Sequence, residues 1–96
     1  MKRDEVLKIL SNHRGEFARF KVKSLAIFGS VARDQARADS DVDVLVEFSE
    51  PVGIFEFLEF KEFLEAILKS RVDLATEQAL KKQLREQILK EAIRAA

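Results

Sequence analysis

Asp41 and Asp43 stand two residues apart in this sequence, within Ser40-Asp41-Val42-Asp43-Val44-Leu45-Val46. On a strand, side chains two apart share a face, so both carboxylates project to one side. Two bare carboxylates there repel each other unless a positive charge lies between them. A bound Mg²⁺ meets that need, because it takes one or two carboxylates together with phosphate oxygens. A solvated strand start with no ligand satisfies the same residues. Asp73 is the third carboxylate, alone among apolar neighbours in Val72-Asp73-Leu74-Ala75. A charge inside an apolar strand needs a reason. If that strand pairs in register with the one at 41–48, Asp73 joins the other two. An edge strand turning Asp73 to water is the alternative. Gly29-Ser30 closes an apolar run, Leu25-Ala26-Ile27-Phe28, ahead of a short helix. Glycine lets backbone approach a ligand, and N–H groups with the Ser30 hydroxyl suit phosphate oxygens. An ordinary turn would use the same pair.

Several elements must hold these groups in place. The 96 residues give room for one domain, 1–96, with one core. Apolar residues Val6, Leu7, Ile9, Leu10, Phe17 and Phe20 predict one helix over 2–20, weakened at Gly15. Strands are expected at 24–28, 41–48 and 72–75, with Val42, Val44, Val46 and Phe48 on the face opposite Asp41 and Asp43. Pro51 and Gly53 break the chain before a helix at 54–69. Phe57, Phe60, Phe63, Leu64, Ile67 and Leu68 form its broad apolar face. A last helix is predicted over 77–94 from Leu80, Leu84, Ile88 and Ala92. The fold class is α+β, a small mixed sheet with helices packed on it.

Composition narrows the chemistry further. Cysteine is absent, which excludes disulfides, thiolate zinc sites and cysteine nucleophiles. The one histidine, His13, reads as a surface residue at a helix end. Lysine and arginine total 17, as do aspartate and glutamate, and that balance argues against a nucleic-acid coat protein. The acidity is uneven: Asp34, Asp39, Asp41, Asp43, Glu47 and Glu50 face only Arg33 and Arg37 between residues 24 and 50. No apolar run approaches the roughly 18 residues that span a bilayer. No signal-peptide core follows the basic N-terminus, so a cytoplasmic location is expected.

The stretch Gly29-Ser30, ten residues, Asp41-Val42-Asp43 resembles the nucleotidyltransferase signature of the DNA polymerase beta superfamily. Phe28-Gly29-Ser30-Val31-Ala32-Arg33 and Ser40 to Val46 are similar to its minimal nucleotidyltransferase branch. The likeness runs on through Phe55-Glu56-Phe57-Leu58, Arg71-Val72-Asp73-Leu74 and the last helix. Two loop positions depart from the pattern: Asp34 stands where glycine is common, and Ala38 where proline is frequent.

The resemblance implies a palm-like nucleotidyltransferase fold and a two-metal reaction. Asp41, Asp43 and Asp73 would hold Mg²⁺ or Mn²⁺, with Asp73 also helping to deprotonate the attacking hydroxyl. Gly29 and Ser30 would grip the β and γ phosphates of ATP. Arg33 would stabilise the triphosphate, or else form a surface ion pair with Asp34 or Asp39. The family also implies an antitoxin that transfers AMP to a tyrosine of a HEPN-domain ribonuclease toxin. A partner surface is expected at Ile54, Phe55 and Leu58, which fall opposite the apolar face of their helix. Burial of that helix end on both sides is the other reading. Neutralisation by occlusion with a vestigial site, and transfer to a small molecule or RNA end, are the alternative functions.

Overall fold

The computed structural model describes residues 1–37 and 39–96. Ala38, one of the two departures from the family pattern, lies outside the described residues. Among the described residues, five helices and four strands follow one another as α1 (Arg3–Asn12), α2 (Arg14–Phe17), β1 (Val22–Phe28), α3 (Gly29–Ala32), β2 (Val42–Phe48), α4 (Ile54–Leu68), β3 (Val72–Thr76), α5 (Lys82–Glu91) and β4 (Ile93–Arg94). Short 3₁₀ turns cover Ala18–Phe20 and Glu77–Ala79. The strands form one mixed sheet in the order β3-β2-β1-β4. β1 runs antiparallel to β2 and β4, and β2 runs parallel to β3.

One face of this sheet is closed. Leu25 and Ile27 of β1, Val42, Val44 and Val46 of β2, and Val72 and Leu74 of β3 are buried, as strict alternation requires. Val6 and Leu10 of α1 and Phe60, Leu64 and Leu68 of α4 complete that core. Phe60 is its hub: its ring lies 5.8 Å from Phe17, 5.2 Å from Phe20 and 6.3 Å from Phe63. Phe57 and Phe48 extend the cluster at 6.3 Å from each other. α4 starts where the Glu56 carboxylate accepts the Gly53 N–H at 3.2 Å, which satisfies one of the donors a helix start leaves free. It stops at Lys69, which is left-handed with φ 53°.

Three elements differ from the sequence expectation. The helix over 2–20 is divided at His13, which leaves the helical conformation with ψ 12°. The residues after Gly29-Ser30 contribute little helix. α3 begins at Gly29 itself and ends at Ala32. The predicted helix at 77–94 is shorter at both ends. Leu80 and Lys81 are extended, so Leu80 lies outside α5. Ala92 is extended too, and the chain then pairs with the free edge of β1, Ile93 against Ile27 and Arg94 against Ala26. The Ala95 N–H donates to the Leu25 carbonyl at 2.8 Å. Edge pairing satisfies backbone groups that a longer helix would have left at the β1 edge. No residue of α5 is buried, and Leu84 is 50% exposed.

Candidate active site

The other face of the sheet carries the acidic residues. β2 and β3 pair in register, Asp43 opposite Asp73, so both side chains leave the same face of neighbouring strands. The Val42 N–H donates to the Arg71 carbonyl at 2.9 Å, and Glu65 of α4 accepts the Val72 N–H at 3.0 Å. The first bond supports the β2–β3 register at the end where the aspartates lie, and the second ties the start of β3 to α4. Across β1, Asp43 is paired with Phe28, which brings the next residue, Gly29, beside it. β3 is also an edge strand and Asp73 is exposed, so both readings of that residue describe one arrangement.

Gly29 adopts φ +71°, and a Cβ there would overlap the Asp43 carboxylate. Only glycine permits both the left-handed backbone and this approach. Ser30 follows, half-buried, at the strand-to-helix turn. Asp34, too, has a positive φ, 57°, which gives the reason glycine is common at this position. Its carboxylate accepts the Arg3 N–H at 3.3 Å.

Burial pushes the Asp43 carboxyl up to about 6 from 3.8, reinforced by Asp73 and then Asp41. Arg33 acts in the opposite direction, and Glu91 adds to the rise. Negative charge is thus concentrated around one half-buried oxygen pair. In kind, these carboxylate oxygens are the donors that Mg²⁺ or Mn²⁺ takes. Among the described residues, however, no group of three such side chains converges closely enough to hold a metal ion. Asp41 is paired instead with Arg71, whose Nε lies 3.1 Å from Oδ1.

Among the described residues, Arg33 pairs with Glu91 and with neither Asp34 nor Asp39. Its Nη1 lies 3.1 Å from Oε2 and 3.2 Å from Oε1 of Glu91. The same Glu91 carboxylate accepts the Gly29 N–H at 3.1 Å. Sequence reasoning missed Glu91, because it reads as one more charge on the polar side of the last helix. Its position beside the Gly29 turn depends on the pairing of β4 with β1. His13 is half-buried, with Nδ1 2.8 Å from Glu16 Oε1 and its ring edge-on to Phe63 at 6.0 Å.

Ile54, Phe55 and Leu58 are exposed by 63%, 79% and 42%, so burial of that helix end on both sides is excluded. A broad groove opens on the acidic face of the sheet, toward the far end of β2. Ser24, Ala26, Leu45, Glu47 and Leu89 line it together with Ile54. It contains none of the three aspartates. No helix of the described residues is long and apolar enough to cross a membrane.

The nucleotidyltransferase domain family matches residues 6–95. The protein adenylyltransferase MntA of Thermococcus cleftensis is 41% identical over 91 residues, covering 94% of this chain and 92% of that protein. A solved structure assigned as a minimal nucleotidyltransferase superposes with a TM-score of 0.83 at 39% identity, covering 97% of this chain and 95% of the other. A toxin–antitoxin crystal structure with AMP-PNP shares the fold, with a TM-score of 0.72 at 21% identity over 90% of this chain and 72% of that one. The mixed sheet, the glycine turn beside its acidic strand and these likenesses lead to one assignment: the chain belongs to the nucleotidyltransferase domain family and is a nucleotidyltransferase.

Proposed function

We propose that this nucleotidyltransferase, a single domain over residues 1–96, transfers AMP from ATP to a tyrosine of a HEPN-type toxin and so acts as its antitoxin. The observation that carries the reading is the in-register pair Asp43 and Asp73 beside the Gly29 turn. The relationship to a named protein adenylyltransferase supports AMP as the transferred group and protein as the acceptor.

Gly29, Ser30 and Arg33 bind and orient the triphosphate. Asp43 and Asp73, joined by Asp41 once it leaves Arg71, are the residues that would hold Mg²⁺. That ion supplies charge neutralisation at the phosphates and lowers the barrier to in-line displacement. Asp73, exposed at the sheet edge, accepts the proton of the attacking tyrosine hydroxyl. The tyrosine oxygen then bonds to the α-phosphorus, the bond from that phosphorus to the bridging oxygen breaks, and pyrophosphate leaves. Ile54, Phe55 and Leu58 form an apolar patch for the protein partner.

The test is incubation with ATP, Mg²⁺ and the HEPN-type partner, followed by mass spectrometry of the partner's tyrosines. Wild type should add AMP. Asp43→Asn should bind the partner without modifying it, since the carboxylate acts chiefly in the transition state. A second reading, neutralisation by occlusion, is favoured by the exposed Phe55 patch. Full silencing by Asp43→Asn with no added nucleotide would establish that reading instead.

A further inference from the structure

Glu91 is the last residue of α5, where the helix leaves its carbonyls unpaired and a carboxylate is unfavourable. Its side chain is nevertheless 22% exposed and lies close enough to Asp43 to add to the rise of that carboxyl. What holds it there is a pair of donors: the Gly29 N–H at 3.1 Å and the Arg33 guanidinium at 3.1 and 3.2 Å. Arg33 Nη1 reaches both oxygens, while its Nε donates to Gln35 Oε1 at 3.2 Å; a backbone N–H and a guanidinium nitrogen converging on the oxygens of one anion is a donor set that suits a phosphate. The backbone of Glu91 is anchored by β4, which pairs with β1 immediately afterwards. The carboxylate can therefore leave by side-chain rotation alone.

We propose that Glu91 is an internal counter-anion that sets the nucleotide affinity of this enzyme: its carboxylate occupies Gly29 and Arg33, and a triphosphate binds by displacing it. The inference rests on the proposed role of Gly29 and Arg33 in holding the phosphates. In the free protein, Glu91 neutralises Arg33 and keeps the Gly29 turn in its binding shape. On binding, each displaced bond is replaced by one to a phosphate oxygen, while the released carboxylate regains water. Affinity is then a difference between two anions competing for one pair of donors. This arrangement also favours highly charged phosphate chains over single phosphates, since only a stronger anion displaces a carboxylate already in place.

Calorimetric titration of the full chain with tripolyphosphate, ATP and adenosine tests this. Glu91→Gln removes the competing charge and keeps the side-chain shape. It should bind tripolyphosphate and ATP about five- to tenfold more tightly than wild type, with adenosine unchanged. Adding Arg33→Ala should erase most of that gain. Wild type that binds tripolyphosphate, with a Glu91→Gln variant that binds it equally or more weakly, overturns the inference and leaves the enzyme assignment intact. Failure of both proteins to bind either phosphate compound overturns the phosphate-binding role and the inference together. Should Glu91→Gln fail to fold, wild type decides: the Gly29 amide and Glu91 side-chain carboxyl resonances should both move on adding tripolyphosphate, and an unmoved Glu91 carboxyl overturns the proposal.

Discussion

The two faces of this sheet are built from the same strands to opposite ends. On the closed face, Val42, Val44 and Val46 meet Phe60 and Leu64 of α4, and apolar packing is saturated. On the other face, one residue out of step along the same strands, Asp43 and Asp73 stand side by side with their repulsion only partly offset by Arg33. Alternation costs the chain nothing in sequence length, since each strand serves both tasks. The closed face supplies the stability that the crowded carboxylates reduce. A functional site that opposes its own folding is tolerated only when another region holds the backbone in place.

Breaking the closed face should have the largest effect. Phe60→Ala removes the hub of the aromatic cluster and should cost about 3–5 kcal/mol of folding stability, read from denaturant melts. Phe55→Ala, at a position 79% exposed, should change stability by less than about 0.5 kcal/mol while weakening the partner complex in a pull-down. Equal losses of stability at both positions would remove the distinction between core and partner surface.

Gly29→Ala attacks the seam between the faces. The left-handed backbone and the overlap with Asp43 should together cost about 1–3 kcal/mol. Pairing it with Asp43→Ala should recover the part due to overlap and leave the part due to φ. Additive losses in the double variant would show that no clash exists.

The crowded face should also appear in the pH dependence of stability. A carboxyl raised from 3.8 to about 6 on folding binds protons more readily in the folded chain. Its contribution is full below about pH 4 and is lost as pH rises through 6. Asp43→Asn should therefore flatten the stability profile between those values. At pH 7 it should be more stable than wild type by about 1–2 kcal/mol, after allowing for solvent screening of a half-buried group. The smallest effect belongs to Asp34→Gly. Relief of a positive φ is offset by greater freedom in the unfolded chain and by loss of the exposed bond from the Arg3 N–H, so stability should change by less than about 0.5 kcal/mol. Removal of its charge should tighten triphosphate binding slightly.

Much of this was legible in the sequence because it depends on local periodicity. The alternation from Asp41 to Phe48 and the isolated charge at Asp73 placed two carboxylates on one face once the strands paired in register. The broad apolar face of α4 was equally local. What escaped was non-local. β4 lies in an alanine-rich tail of high helix propensity, and only the free edge of β1 makes it a strand. Glu91 reaches Arg33 across 58 positions of sequence because that strand forms where it does. The ion pair of Asp41 with Arg71 was likewise invisible, since periodicity carries no information about which charged neighbour a surface carboxylate will face.

Under the proposed function, the crowded carboxylates receive a divalent ion and a nucleoside triphosphate. Thermal melting of wild type and Asp43→Asn, each alone and with Mg²⁺ and ATP, tests it most directly. Without ligand, Asp43→Asn should melt higher than wild type. With Mg²⁺ and ATP, wild type should rise, because the ligand binds only the folded state, and the variant should not. Equal ligand-induced increments in the two proteins would show that Asp43 takes no part in binding the ion or the nucleotide.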